Sequence, residues 1–484
     1  MTENDLTVCE LFAGVGGFHL GLSRSGWKVV WADQWEPGKK QQWAFECYKK
    51  HFDDGTTRCV NEDIGKVSTE DVPPIDLLVG GFPCQDYSVA TTNAHGIEGK
   101  KGVLWWHIER ILKDNIGRGT PVPYVLLENV DRLVKSPAKQ RGRDFGIILS
   151  CLNNMGYVVE WRVINAAEYG YPQKRRRTFI FATLVKDVVD ELYTSRSDVK
   201  VMTKDGFFAK EFPVTMIKEQ KGSSICLWSD LVQMTKDFKF GFENAGYMKD
   251  GRIFTIKVGP SFKGKKGTLG SVLDKDVDAR YLIPAEWIGD ETDRGTEGFR
   301  STWRYCKGAK NEARVHRNGH QYRYNEGGIP FPDKLDEPSR TMLTSEGNRR
   351  PNRIGHIVPV DPERNLYRIL TPIEAERLNG FDDDWTEGMP EKWRYFCMGN
   401  ALVVGVIEQM GRRLMDLVDE IGEKGTDGSA LRETKGSIIG PLDECDLENG
   451  LSERPLAYTP TPTQKKSSRS AKKNPSRGKT EDRK

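Results

Sequence analysis

Short apolar runs recur along the first 185 residues, each separated from the next by polar stretches of helical character. Leu6–Phe12 ends in a glycine-rich turn, Gly14–Gly17, and a helical stretch follows to about Arg24. Lys28–Ala32, Ile75–Val79, Tyr124–Leu127, Val158–Ile164 and Thr178–Leu184 read as further strands. Strands alternating with helical segments predict a doubly wound α/β domain. Such sheets bind ligands in the crevice at the carboxyl ends of their strands.

The texture changes after Asp187. Residues 190–360 carry many Gly, Lys and Arg, short apolar runs and little helical periodicity, which predicts a second, irregular and mostly β region. Regularity returns at Leu366. Thr371, with Pro372 next and Glu374 three residues on, has the form of a capped helix start. Ile373, Arg377 and Leu378 follow at helical spacing, and Asn400–Leu417 predicts a final amphipathic helix. Beyond about Gly422 the chain turns polar. Gln464–Lys484 holds nine Lys or Arg against two acids, the composition of a disordered tail.

Composition narrows the class. Of 484 residues 30% are charged, no run of eighteen apolar residues occurs, and Met1–Leu6 is polar. Neither a transmembrane helix nor a secretory signal is expected. Nine scattered cysteines, an odd number without a C-x-x-C pair, argue against a disulfide framework or zinc site and suit a reducing cytoplasm. A net charge of +3 says little, but its distribution says more. Arg300–Arg323 has seven Arg or Lys against one acid, Glu312, with Trp303, Tyr305 and Tyr322 interleaved. Either a phosphate-lined partner or a solvated charged face fits that pattern.

Four constellations carry candidate chemistry. The glycines after the first strand allow a sharp turn and close approach to a ligand. A dinucleotide fingerprint fails there, because His19 stands where the last glycine belongs, so a nucleoside cofactor without a pyrophosphate fits better than a nicotinamide. Cys84 follows Gly80-Gly81-Phe82-Pro83 in a loop after a strand; a lone cysteine is usually structural, but this place is less natural for a core residue. Glu128-Asn129-Val130 again lies just past a strand, as a site carboxylate or a helix cap. Gln173-Lys174-Arg175-Arg176-Arg177 leads into the strand from Thr178, as an anion-facing site or an exposed turn.

Taken together, these residues resemble the DNA (cytosine-5)-methyltransferase family of bacterial restriction–modification type, over roughly residues 6–185 and 366–417. The likeness is carried by F-A-G-x-G-G-F at Phe12–Phe18, P-C-Q at Pro83–Gln85 and E-N-V at Glu128–Val130. It continues in Q-x-R-x-R at Gln173–Arg177, R-x-L-T-P-x-E-A-x-R-L-x-G-F from Arg368 to Phe381, and G-N-A at Gly399–Ala401. The resemblance implies a Rossmann-like, S-adenosylmethionine-dependent catalytic domain over 1–187 and a target-recognition domain over 188–365. The segment 366–421 would return to the catalytic domain, and 422–484 would be the basic tail.

The implied reaction is methylation of cytosine C5 in double-stranded DNA. C5 is too weak a nucleophile to attack a sulfonium methyl until a nucleophile adds at C6. A thiolate suits that step, and the resemblance assigns it to Cys84. Glu128 would protonate N3, and Arg175 and Arg177 would hold the cytosine O2. No residue identifies itself as the base that removes the C5 proton, for which water is a candidate. A paired cytosine hides C6, so the base is expected to flip out.

For the cofactor, the resemblance places Phe12, Gly14 and Gly16 along the pocket with Trp35 and Pro83. Asp63 and Ile64 would lie near the adenine, and Asn400 and Leu402 would close the pocket. One position departs from the family. Where an acid usually precedes the tryptophan to grip the ribose hydroxyls, this chain has Gln34, and Glu36 is the candidate substitute. Lys257–Lys266 and Arg300–Arg323 would meet DNA, and Arg340–Leu343 with Arg349-Arg350 would support the flipped base. No metal is needed, and His316 and His320 read as surface residues. A monomeric cytoplasmic enzyme is expected, with no membrane partner and with a cognate endonuclease acting separately on the same site. An RNA methyltransferase of the transfer-RNA type shares P-C-Q and E-N-V but typically carries C-F-T, which is absent here. A catalytically dead DNA-binding protein fits less well, since every motif residue is present.

Overall fold

The computed structural model describes residues 6–82, 104–217, 222–227, 230–294 and 296–424, all within one compact unit of the chain. Five parallel strands form one half of its main sheet: β1 (Thr7–Leu11), β2 (Lys28–Asp33), β3 (Arg58–Val60), β4 (Leu77–Gly81) and β5 (Tyr124–Val130). β6 (Val158–Asn165) and β7 (Arg176–Thr183) follow, with β7 lying antiparallel between β5 and β6. The region after residue 187 supplies β8 (Val214–Met216), β9 (Ser223–Cys226), β10 (Ala245–Lys249), β11 (Arg252–Ile256) and β12 (Val258–Pro260). The complete order is β3-β2-β1-β4-β5-β7-β6-β10-β11-β9, while β8 and β12 form a separate pair.

The change of texture at residue 188 is therefore not a break in the sheet. β10 pairs with β6 and covers an edge whose free N–H and C=O groups would otherwise invite intermolecular pairing. β3 has little apolar signal of its own, being three residues that begin on exposed Arg58.

Alternating side chains divide between two cores. Val8, Leu77, Val79 and Leu126 point to one face, where α1 (Gly17–Ser23), α2 (Trp43–Phe52) through Tyr48, α5 (Lys186–Tyr193) and the C-terminal helix Val404–Lys424 pack. Cys9, Leu78, Val125 and Leu127 point to the other, against α3 (Leu104–Gly117) and α4 (Arg143–Asn154). α3 buries Ile108, Ile111 and Leu112, the three-and-four spacing of one helical face. Each such aliphatic side chain contributes roughly 1.5–3 kcal/mol when fully buried. No helix among the described residues is long and apolar enough to cross a membrane.

The C-terminal part corrects one expectation. The predicted helix from Asn400 starts at Val404; Asn400 instead ends a separate helix, Glu391–Asn400. Ala401 is extended (φ −60°, ψ 160°), which breaks the run although the sequence on both sides favours helix. The expected start at Thr371 is present: its hydroxyl accepts from Glu374 N, and Thr371 N donates to Glu374 Oε2 at 2.9 Å.

Residues 277–369 form a small core of their own around Tyr281, Ile288, Trp303 and Ile357. Its interior is also polar. Arg340 grips Asp333 at 2.6 Å, and buried His356 meets Glu346 at 2.9 Å. From this core rises a hairpin of β13 (Lys310–Val315) and β14 (Gln321–Glu326). A last pair, β15 (Val358–Asp361) and β16 (Leu366–Arg368), leads into the C-terminal helices.

Candidate active site

The carboxyl ends of β1, β4 and β5 lie side by side, in the register Leu11↔Gly80 and Gly81↔Glu128. Close packing explains the glycines of β4. A Cβ on Gly80 would stand 2.8 Å from Leu11 O, and one on Gly81 would stand 3.2 Å from Glu128 Oε2. Past β1 the backbone turns through left-handed values at Phe12 (φ 57°), Gly14 (φ 58°) and Gly16 (φ 88°). For a bulky residue such as Phe12 that conformation costs about 1–3 kcal/mol and persists only where neighbours enforce it. Here Asp33 O accepts from Ala13 N at 2.9 Å, and Gln34 Oε1 accepts from Gly14 N at 2.6 Å.

Glu128, at the end of β5, is largely buried, and its Oε1 lies 2.6 Å from Arg177 Nε on β7. Register places the two strands so that Glu128 faces Phe179 and Val130 faces Arg177. Burial raises the Glu128 carboxyl above its ordinary range, against the opposing pull of Arg177 and Arg175. Asn129, buried beside it, donates from Nδ2 to Phe82 O at 2.7 Å. This bond fixes the last described residue before the segment that carries Pro83 and Cys84, both of which lie outside the described residues.

Arg175 differs from its expected role. Its guanidinium is buried and donates to Gly399 O at 2.8 Å and Met342 O at 3.2 Å. It thereby ties together the strand entrance, the end of the 188–365 region and the C-terminal segment. Gln173 reinforces the same junction through Asn379 Oδ1 at 3.0 Å and Met342 N at 3.1 Å. Arg340, expected near a flipped base, is instead committed to Asp333 and to Ile354 O at 2.9 Å. Met342 is buried, whereas Leu343 is exposed. Arg349 donates to Arg280 O at 3.0 Å, and Arg350 is exposed.

Between the glycine loop and the C-terminal segment lies a cavity of about 230 Å³. Phe12, Gly14, Gln34, Asn400 and Leu402 line it as expected, and Glu36 and Glu128 also face it. Phe396 and Cys397 join them from the helix Glu391–Asn400, a contribution no local sequence signal announced. Gly16, Trp35, Asp63 and Ile64 are not in its wall. Gly16 supports the loop from behind, where a Cβ would meet the Phe52 ring at 2.2 Å. Trp35 is exposed, Asp63 caps a turn by accepting from Gly65 N at 3.0 Å, and Ile64 is buried.

Glu36 decides whether a nucleoside cofactor fits here. Its Oε2 is buried without a hydrogen-bond partner, and burial raises its pKa. A buried carboxylate oxygen with nothing to accept from suits a hydroxyl donor. The amide oxygen of Gln34, in contrast, already accepts from the loop at Gly14 N.

Comparison with known proteins agrees with this geometry. Residues 6–416 match the family model of C-5 cytosine-specific DNA methylases, and the chain belongs to that family. It is 45% identical over 427 residues to the type II methyltransferase M.Sau3AI of Staphylococcus aureus, covering 86% of this chain and 97% of that protein. It is 27% identical over 453 residues to M.NlaIV of Neisseria lactamica, covering 84% and 98%. Among solved structures, the methyltransferase EhMeth of Entamoeba histolytica shares the fold. Its TM-score is 0.50 at 17% identity, over 88% of this chain and all of that one.

Proposed function

We propose that this chain is the methyltransferase of a type II restriction–modification system, transferring a methyl group from S-adenosylmethionine to C5 of a flipped cytosine in duplex DNA. The observation that carries the reading is the largely buried Glu128, held by Arg177 at 2.6 Å and facing the same cavity as the strained glycine loop. Residues 1–187 and 366–421 would hold cofactor and base, and 188–365 would select the target. The chain would act as a monomer, with the cognate endonuclease acting separately on the same site.

When bound, S-adenosylmethionine supplies an electrophilic methyl on a sulfonium. Phe12, Gly14, Glu36, Asn400 and Leu402 would hold it. The Cys84 thiolate adds to C6, forming an S–C6 bond and moving the electron pair of the 5,6 double bond into the ring. Glu128 meets that charge with a proton at N3, and its raised pKa favours the protonated form this requires. Arg177 holds Glu128 in place and turns toward the cytosine O2, while Arg175 positions Arg177's strand from behind. C5 then takes the methyl group, with S-adenosylhomocysteine as the leaving group; water removes the C5 proton, N3 returns its proton to Glu128, and the C6–S bond breaks to restore the aromatic ring and the thiolate.

The test uses Cys84→Ala with DNA carrying 5-fluorocytosine at the target. The wild-type protein should form a covalent adduct stable to denaturing gel electrophoresis. Cys84→Ala should form none and should lose methyl transfer, while still shifting DNA on a native gel. Methylation by the Cys84→Ala protein would overturn the mechanism.

A further inference from the structure

The hairpin of β13 and β14 presents two chemically different faces. On the inner face Lys310, Glu312 and Arg314 oppose Glu326, Tyr324 and Tyr322. These groups satisfy one another and anchor the hairpin to its base. Lys310 pairs with Glu326 at 2.8 Å, Arg353 pairs with Glu326 at 3.0 Å, and Tyr305 donates to Glu312 at 2.8 Å. Arg314 lies 3.7 Å over the Tyr324 ring. Both acids of the hairpin are on this face and both are neutralised.

The outer face is different. There Asn311 opposes Asn325, Ala313 opposes Arg323 and Val315 opposes Gln321, and all six are exposed. It bears no acid, one arginine, three primary amides and two aliphatic groups. A hairpin that merely keeps itself soluble tends to place charges on its free face, and an exposed Val315 works against that. The tip, His316 to His320, adds Arg317 and two histidines, all exposed. It is a tight turn, with His316 O accepting from Gly319 N at 2.8 Å and Gly319 at φ 83°.

We propose that this ribbon enters the major groove of target DNA, where its outer face reads base edges and its tip meets phosphate. The inference rests on the DNA-methyltransferase reading above. Two strands about 4.8 Å apart fit a groove about 12 Å wide. The exposed groups match what that groove displays. Asn and Gln amides pair with adenine, a guanidinium with guanine, and a small aliphatic group with the thymine methyl. Asn311 Oδ1 accepts from Arg323 Nε, which orients the guanidinium and leaves its terminal nitrogens free for a base. Charge agrees too, since the entire outward surface of the ribbon is neutral or positive.

The test compares full-length wild type with N311A/Q321A/R323A/N325A and with the single variant Arg323→Ala. Purified protein would methylate a random-sequence duplex library, read by bisulfite sequencing. Titration with S-adenosylhomocysteine would monitor the cofactor site, and thermal melting the fold. Arg323→Ala should lower discrimination at one base pair of the target by about ten- to hundredfold. The quadruple variant should spread methylation across sites the wild type ignores, with both controls unchanged. If both variants keep the wild-type target set and rate, the ribbon does not read bases, whatever else it contacts. If the quadruple variant melts early, Arg323→Ala alone decides. A wild-type protein that yields no 5-methylcytosine would overturn the functional reading instead.

Discussion

Gln34 and Glu36 sit two residues apart and do different work. Gln34 spends its amide oxygen on Gly14 N at 2.6 Å and so shapes the loop, while Glu36 faces the cavity with an unpartnered oxygen. A carboxylate accepting from a ribose hydroxyl contributes about 1.5–3 kcal/mol, or roughly ten- to hundredfold in affinity. Glu36→Gln should therefore raise the Kd for S-adenosylhomocysteine, measured by calorimetry, by at least about tenfold. An unchanged Kd would mean that the ribose is held elsewhere. Arg175 and Arg177 divide in a similar way. Strand alternation would place Arg175 and Arg177 on one face, but β7 starts only at Arg176. Arg175 thus escapes the alternation and turns into the interior, where backbone carbonyls receive it.

At the scale of elements, the G-N-A tripeptide acquires a mechanical reason. A Cβ on Gly399 would stand 2.4 Å from Thr344 N and 2.5 Å from Leu343 C, and backbone at that distance cannot yield cheaply. Gly399→Ala should separate the helix Glu391–Asn400 from the backbone at residues 342–344, costing about 1–3 kcal/mol as overpacking does. It should also loosen the cavity wall at Asn400. A lowered melting temperature with weakened S-adenosylhomocysteine binding is expected, and a variant as stable as wild type would contradict the close approach. Long periodic stretches and strand-end motifs were readable from sequence because their causes are local: alternation, turn glycines and the Thr371 cap. The insertion of β7 between β5 and β6, the strands lent by residues 223–256, and Phe396 in the cavity wall depend on partners hundreds of residues away or on register. Nothing in their own segments announces them.

Across the whole molecule, ionisable groups buried under the glycine loop tie stability to pH. Glu10 on β1 is fully buried; burial pushes its pKa to about 8, while Tyr48 donates to it at 3.1 Å. His19, which meets the Tyr48 hydroxyl at 2.7 Å, is pushed down to about 4 by burial. The signs oppose. A depressed histidine adds stability as pH rises from 4 to 6.5, whereas a raised carboxyl loses stability as pH rises from its ordinary value toward 8. Between pH 6.5 and 8 His19 no longer contributes, and Glu10, joined up to about 7 by Asp33, dominates. Wild-type denaturant midpoints should fall over that interval, and Glu10→Gln should flatten the decline. An equally steep fall in Glu10→Gln would clear Glu10 of responsibility.

The C-terminal segment that lines the cavity also sets a schedule. Leu402, which meets the glycine loop at the position of a Gly17 Cβ (3.0 Å), lies about 390 residues after Phe12 in the chain. At roughly 5–20 residues per second, a ribosome makes Leu402 some 20–80 s after the loop. From Arg177 onward, through the remaining 225 residues to Leu402, the nascent chain has its carboxylates and arginines but only one wall of the cavity. The cavity is thus completed late in biosynthesis, and a truncated product that contains every residue of the first 187 lacks the wall made by Phe396, Asn400 and Leu402.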